Sequence, residues 1–149
     1  SFVGNEPLKL TFDIKKYGYT GLDFADILKE QNIICEFADP DFTVLMFTPE
    51  INEESIERLN NILISIPKRE FIVSRPPLFS PCKSVVSLKD AVFSDCEIIS
   101  VSESPGRILA VSNVSCPPAV PIVISGEKID IHARECFEYY GIKNCTVIK

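Results

Sequence analysis

The chain is poor in the residues that most often build metal and catalytic centres. Its 149 residues include one His, one Met and no Trp, and no two of its six cysteines form a Cys-x-x-Cys pair. A zinc site therefore has no local ligand pair from which to start. The six glycines are scattered and form neither a dinucleotide fingerprint nor a P-loop. The sequence predicts no metal site and no phosphate-binding loop.

An excess of positive charge and a long apolar run are also absent. The formal net charge is −6, whereas nucleic-acid binding needs clustered Lys and Arg, so we expect no nucleic-acid partner. The apolar runs are far shorter than the roughly 20 residues that cross a bilayer, so we expect no membrane span. No signal-peptide pattern is present, and a start at Ser1 rather than Met fits a piece of a longer product.

What the chain does have is apolar material for a core. Hydrophobic residues make up 46% of the sequence, and charged residues 24%, which is ordinary for a globular protein. A chain of this size needs no disulfide staples, so we expect reduced, mostly buried thiols in a cytoplasmic protein.

Residues 8–73 predict an α+β unit. Apolar residues alternate along the predicted strands and repeat at helical spacing along the predicted helices. The elements in chain order are a strand over 8–14, a helix over 20–32, strands over 33–38 and 42–48, a helix over 52–66 and a fourth strand over 71–73. Thr20 with Asp23, and Asn52, are the expected helix caps. This order predicts a ferredoxin-like, split βαβ two-layer unit.

Arg75-Pro76-Pro77 predicts a domain boundary. We therefore expect a small α+β domain over residues 1–75 and a small mixed α/β C-terminal domain over residues 76–149. The second domain is expected to contain a helix over 87–93, a strand over 98–101, a turn at 104–106, a helix over 129–140 and a strand over 145–148. Along the last helix, Ile131, Cys136 and Tyr139 or Tyr140 are expected to face inward, with Gly141 as the cap.

The most distinctive stretch runs from Val114 to Ile129. It places three prolines within five residues, between positions 117 and 121. These fix φ and remove backbone donors, so this part cannot lie inside a central sheet. We expect a rigid loop that leads into a buried strand over 122–124. A turn at Ser125-Gly126 and a carboxylate at Glu127 follow.

Spacing alone predicts no catalytic residue. His132 is expected on the exposed side of a helix, where it lacks a nucleophile partner. The paired carboxylates at residues 53–54 and 39/41 fit helix-dipole and turn roles.

The sequence as a whole resembles the C-terminal part of the bacterial ornithine/lysine/arginine decarboxylase family. The first strand and helix of that family's small domain resemble residues 7–11 together with 18–21. Its second strand resembles residues 34–39. Residues 87–93 are similar to its Ser-Pro-Arg-Glu-Ala-Phe stretch, and Gly106-Arg107-Ile108 matches outright. The proline segment resembles Tyr-Pro-Pro-Gly-Ile-Pro followed by Pro-Gly-Glu. Ala119 replaces the usual Gly of that pattern, and Ser125 the usual Pro.

This resemblance implies a longer enzyme of the aspartate-aminotransferase-type fold. In the family, pyridoxal phosphate is held as a Schiff base on the lysine of a Ser-x-His-Lys motif in an upstream large domain. No Lys follows a His here, so the resemblance implies that this chain holds no cofactor or catalytic residue itself. It implies instead that the chain covers the active site and supports a homodimer of the parent, a decarboxylase of a basic amino acid that gives a diamine or polyamine precursor.

Glu127 is the one residue expected to contact substrate, since the substrate class carries a distal cation. Its alternative roles are to accept hydrogen bonds from turn amides or to face solvent. For the chain as a whole, one alternative is a stand-alone α+β module that binds a small molecule without catalysis. A relative of the decarboxylases that has lost activity is another.

Overall fold

A computed structural model describes residues 2–4, 6–112 and 121–149 of the protein. These residues divide into two compact units, Ser1–Arg75 and Pro76–Lys149, and each is described by itself. The proline loop predicted up to residue 120, including Ala119, lies outside the described residues. Within them, no helix has the length and apolar character needed to span a membrane.

The first unit contains one antiparallel sheet and two helices. Its elements are β1 (Phe2–Val3), β2 (Lys9–Asp13), α1 (Gly21–Glu30), β3 (Phe37–Ala38), β4 (Phe42–Met46) and α2 (Glu53–Ser65). The strand order is β1-β2-β4-β3, and every neighbouring pair is antiparallel. Strands β2 and β3, joined through α1, are therefore parallel to each other with β4 between them, which is a split βαβ arrangement.

Helix caps in the first unit lie where the sequence predicts them. The Thr20 side chain accepts from the Asp23 N–H (3.1 Å) while the Asp23 carboxylate accepts from the Thr20 N–H (3.0 Å), completing a capping box. The Asn52 side chain accepts from the Ser55 N–H (2.9 Å) at the start of α2. These bonds satisfy orphan amides that a helix N-terminus otherwise exposes.

The core of this unit lies between the sheet and the helices. Buried side chains from both layers meet there: Phe12, Tyr19, Phe24, Leu28, Leu45, Leu59 and Ile66. The rings of Phe12 and Phe24 pack edge to face at 5.3 Å, a geometry that aromatic quadrupoles favour.

In this unit the strand predicted over 33–38 is too long, and the one predicted over 71–73 is wrong. Of residues 33–38, only Phe37 and Ala38 form a strand, and residues 71–73 form none. The latter segment bonds instead to the chain just beyond β2, through the Ile72 N–H and the Lys15 carbonyl (3.1 Å). The outer edge of β2 is paired with β1, so that edge is not open to a strand formed by residues 71–73.

The second unit contains two small antiparallel sheets and two helices. Its elements are β5 (Lys83–Ser84), α3 (Leu88–Phe93), β6 (Cys96–Ser100), β7 (Leu109–Val111), β8 (Glu127–Lys128), α4 (Ile131–Tyr139) and β9 (Asn144–Ile148). Strands β6-β9-β7 form one sheet and β5-β8 the other. The four helices and the antiparallel sheets of the described residues confirm the α+β fold class.

The inward face of α4 differs from the expected one. Cys136 is buried as predicted and Tyr139 is partly buried, whereas Ile131 is 44% exposed and Tyr140 39% exposed. Ala133 and Phe137, which were not expected to face inward, are each 2% exposed. Asp130 caps the helix by accepting from the Ala133 N–H (2.7 Å). The cap fixes where the helix begins, and packing against the core determines which face is buried. Phe137 enters the core with Val101, Leu109, Val123, Ile129, Cys145 and Val147.

Residues 122–124 are not a strand, which corrects the prediction for the segment before Glu127. Val123 is nonetheless 1% exposed and belongs to the core. The apolar side chain of Val123 therefore reflects burial of a bend in the core, and not pairing in a sheet. The predicted turn at Ser125-Gly126 is present.

Candidate functional site

The turn that carries Glu127 is a tight four-residue turn from Ile124 to Glu127. The Glu127 N–H donates to the Ile124 carbonyl (3.0 Å), and Gly126 has a φ of +92°. Positive φ at the third position, with an ordinary second residue, is the geometry of a type II turn. This geometry favours glycine because a side chain at positive φ is strained.

The backbone of Val85 and Val86, just after strand β5, lies close to Gly126. The Val85 and Val86 N–H groups both donate to the Gly126 carbonyl (2.9 and 3.1 Å), and the Gly126 N–H donates to the Leu109 carbonyl (2.8 Å). A Cβ at Gly126 would lie 2.3 Å from the Val86 carbonyl oxygen. The turn is therefore fixed to two other segments through backbone atoms.

Ser125 occupies the second position of the turn, where proline is common in type II turns. Its N–H donates to Ser112 Oγ (3.0 Å), and the two hydroxyl oxygens lie 3.3 Å apart. Proline would lack that donor. Ser125 is only 8% exposed, so the Ser112 hydroxyl gives its amide a hydrogen-bond partner where water has little access. The turn therefore forms without a proline at this position.

The Glu127 carboxylate faces back onto its own turn. Its Oε2 accepts from the Ile124 N–H (2.8 Å), and the residue is half-buried opposite Ser84 in the β5–β8 pair. Chemically, this carboxylate stabilises the turn and keeps a second oxygen, Oε1. No hydrogen bond to Oε1 is found within the described part of the chain. Contact between Glu127 and substrate stays a prediction.

Four of the five cysteines among the described residues contribute apolar surface rather than reactive thiolates, and the fifth, Cys96, is exposed. Cys82, Cys136 and Cys145 are buried, and burial raises the pKa of each thiol. The half-buried Cys35 shows the same upward pKa shift for the same reason. A raised pKa lowers the thiolate fraction, which is the nucleophilic and metal-binding form. Among residues 2–4, 6–112 and 121–149, no group of acidic, Cys or His side chains is arranged to hold a metal ion.

His132 lies at the exposed start of α4, as the sequence predicts. Its Nδ1 is 3.6 Å from the Glu135 carboxylate one turn further along. Within the described residues no Ser or Cys side chain is hydrogen-bonded to His132, so it provides no triad.

One buried charged pair was not predicted from the sequence. Lys15 Nζ lies 2.6 Å from Asp41 Oδ1, and both residues are 7% exposed. The neighbouring Asp39 carboxyl has its pKa raised by burial, although it accepts from the Asp41 and Phe42 N–H groups (2.7 and 2.6 Å). Sequence reasoning assigned Asp41 to the turn at 39–41. No local pattern links it to Lys15, 26 residues earlier.

Comparison with known proteins points to one family. The family model for the Orn/Lys/Arg decarboxylase C-terminal domain matches residues 79–145. An arginine decarboxylase of Bacillus subtilis (strain 168) is 30% identical over 136 residues, an alignment that covers 83% of this chain and 27% of the relative. This chain thus spans about a quarter of that protein's length.

Two solved structures share the fold. The constitutive lysine decarboxylase of E. coli aligns with a TM-score of 0.60 and 15% identity, covering 97% of this chain and 32% of that one. The lysine decarboxylase of Francisella novicida aligns with a TM-score of 0.66 and 14% identity, covering 97% of this chain and 31% of that one.

Proposed function

We propose that this chain is a non-catalytic portion of a longer enzyme. It belongs to the Orn/Lys/Arg decarboxylase family, as a C-terminal part. The parent enzyme is a pyridoxal phosphate-dependent carboxy-lyase acting on lysine, ornithine or arginine in the cytoplasm. Its product is a diamine or another polyamine precursor. The family match over residues 79–145 carries this proposal.

The cofactor of the parent enzyme belongs on another segment. Pyridoxal phosphate supplies an electron sink for the pair left when carbon dioxide departs, and it needs a reactive lysine amine. The single His of this chain, His132, is followed by Ala133 rather than by a lysine. Lys15, which is buried, has its amine bonded to Asp41 and to the Ser74 carbonyl. These residues do not fit the family's cofactor lysine.

The proposed work of the chain is to cover the upstream large domain and to support a homodimer of the parent. Large apolar side chains of the second unit project into solvent, among them Phe93 at 82% and Ile98 at 74% exposure. Exposed apolar surface of this kind is typical of interaction sites. A stand-alone binding module has no need of the second unit, where the family match lies.

Glu127 is proposed as a contact for the distal cation of the substrate. Glu127→Gln in the full-length enzyme removes the charge but keeps an oxygen that can accept from the Ile124 N–H. We expect the Michaelis constant for the basic amino acid to rise about tenfold or more, since a hydrogen bond to a charged group contributes on the order of 1.5–3 kcal/mol. Steady-state kinetics measure this change.

Two variants separate substrate contact from turn stability. Glu127→Ala removes the charge and the hydrogen bond to Ile124, so it should raise the Michaelis constant and also destabilise the turn by about 1 kcal/mol. Glu103→Gln, at an exposed carboxylate of the same unit, is the matched control and should leave kinetics unchanged. Normal kinetics for Glu127→Gln would remove Glu127 from the substrate site and leave it as a turn residue.

The activity itself is tested on the full-length gene product. Carbon dioxide release is measured from lysine, ornithine and arginine, with and without added pyridoxal phosphate. We expect cofactor-dependent release from one of the three by the full-length protein, and none from the 149-residue chain. A full-length protein that binds the cofactor but decarboxylates none of the three would contradict the proposal.

A further inference from the structure

Residues 67–74 follow α2 and lie along the segment that joins β2 to α1. We name residues 67–74 the strap and residues 15–19 its seat. Four hydrogen bonds join them: Tyr19 Oη to the Pro67 carbonyl (2.8 Å), the Arg69 N–H to the Tyr17 carbonyl (2.9 Å), the Ile72 N–H to the Lys15 carbonyl (3.1 Å) and Lys15 Nζ to the Ser74 carbonyl (2.9 Å). The strap is thus fastened at intervals along its length.

The strap also packs closely on its seat. Gly18 has a φ of +91°, and a Cβ there would lie 2.5 Å from Arg69 Cβ and 2.6 Å from the Glu70 carbonyl oxygen. Beside it, the Arg69 guanidinium lies 4.2 Å from the centre of the Tyr19 ring, within the range of a cation–π contact. The seat therefore accommodates the strap only because position 18 has no side chain.

The last bond of the strap depends on a buried ion pair. Lys15 Nζ donates to Asp41 Oδ1 (2.6 Å) and to the Ser74 carbonyl, one residue before the unit ends at Arg75. Taking two charges out of water is costly, and an apolar pair of similar volume is often as stable. An apolar pair, however, cannot bind the Ser74 carbonyl. The distinct contribution of the ion pair is to hold the end of the strap.

We propose that the Lys15–Asp41 pair is the latch of the strap, and that the strap opens as a separate segment when the latch is removed. In the closed position, Ile72 is partly buried, while Phe71 is 56% and Val73 72% exposed. The rest of the first unit keeps its own core, which includes none of residues 68–74.

The test is amide hydrogen exchange of the 149-residue chain, measured by mass spectrometry with peptides that resolve the strap. Lys15→Met alone leaves Asp41 charged and buried and can unfold the unit, so the deciding variant is Lys15→Met/Asp41→Leu. We expect about a tenfold or larger increase in strap exchange, because a hydrogen bond to a charged group contributes at least that factor to an opening equilibrium. Lys16→Met, at an exposed neighbouring residue, is the control, and its strap should exchange at the rate of the unsubstituted chain.

The outcomes are distinct. Faster exchange at the strap, with α1 and β4 still protected, supports the latch. Unchanged strap exchange in the double variant overturns it. Equal acceleration throughout the first unit also overturns it, because the pair would then stabilise the whole unit rather than the strap.

Discussion

The close approach at Gly126 gives a quantitative prediction about the turn that carries Glu127. Gly126 and Gly106 both have positive φ, +92° and +87°, in the same unit. A Cβ at Gly106 meets nothing within 4 Å, whereas one at Gly126 would lie 2.3 Å from the Val86 carbonyl oxygen. Alanine substitutions at these two glycines therefore distinguish the free-energy cost of positive φ from the additional cost of a steric clash.

Alanine at Gly106 should cost about 1 kcal/mol in free energy of unfolding. The left-handed conformation costs an Ala residue roughly 1–2 kcal/mol, and the lower entropy of its unfolded chain offsets part of that. Alanine at Gly126 has the same cost and also displaces the chain just after β5, because the clashing atom is the backbone oxygen of Val86. That displacement breaks the Val85 and Val86 hydrogen bonds, at about 1 kcal/mol each. We expect about 3 kcal/mol in total.

The assay is urea unfolding monitored by hydrogen exchange and mass spectrometry. Amide protection is then measured for peptides of the second unit separately from those of the first. Gly126→Ala should lose protection at Val85 and Val86 before other parts of the unit, and Gly106→Ala should not. Equal destabilisation by both variants would refute the reasoning. So would retained protection at Val85 and Val86 in Gly126→Ala.

Two further predictions concern the core and a helix cap. Phe137→Ala should destabilise the second unit by about 3–5 kcal/mol, because it leaves a cavity. Ile131→Ala, on the exposed side of the same helix, should cost under about 1 kcal/mol; comparable losses in urea unfolding would contradict the placement of Phe137. The hydrogen bond from the Thr20 side chain, followed by that from its backbone, lowers the pKa of Asp23 from its ordinary value. This carboxylate therefore contributes stability above its unfolded pKa that is lost as pH falls through its folded pKa. In Thr20→Val, an NMR titration should show the Asp23 pKa moving up, and an unchanged pKa would contradict the cap.

Local chemistry in the sequence predicted the features that depend on a few neighbouring residues. The caps at Thr20 and Asn52 follow from side chains that accept backbone amides within three residues. The turn at Ser125-Gly126 follows from a glycine that tolerates positive φ. The α+β order of the first unit followed from helical and strand periodicities of adequate length.

Features that depend on residues far apart in the chain could not be predicted from the sequence. Residues 71–73 have strand composition, but their backbone bonds to the seat of the strap rather than to a sheet. The short α4 helix has apolar residues on more than one side, and packing against the rest of the core buries Phe137 rather than Ile131. The Lys15–Asp41 pair joins residues 26 apart, and only the folded sheet brings them together.

This chain belongs to the Orn/Lys/Arg decarboxylase family as a C-terminal part, and we propose that it does not hold the cofactor lysine. The most direct measurement is borohydride reduction of the chain with pyridoxal phosphate, followed by intact mass and peptide mapping. We predict scattered labelling at exposed lysines, below one label per site, with Lys15 unlabelled because its amine is buried and bonded to Asp41 and Ser74. Stoichiometric labelling of one lysine would show that the chain has its own cofactor site and would contradict the account.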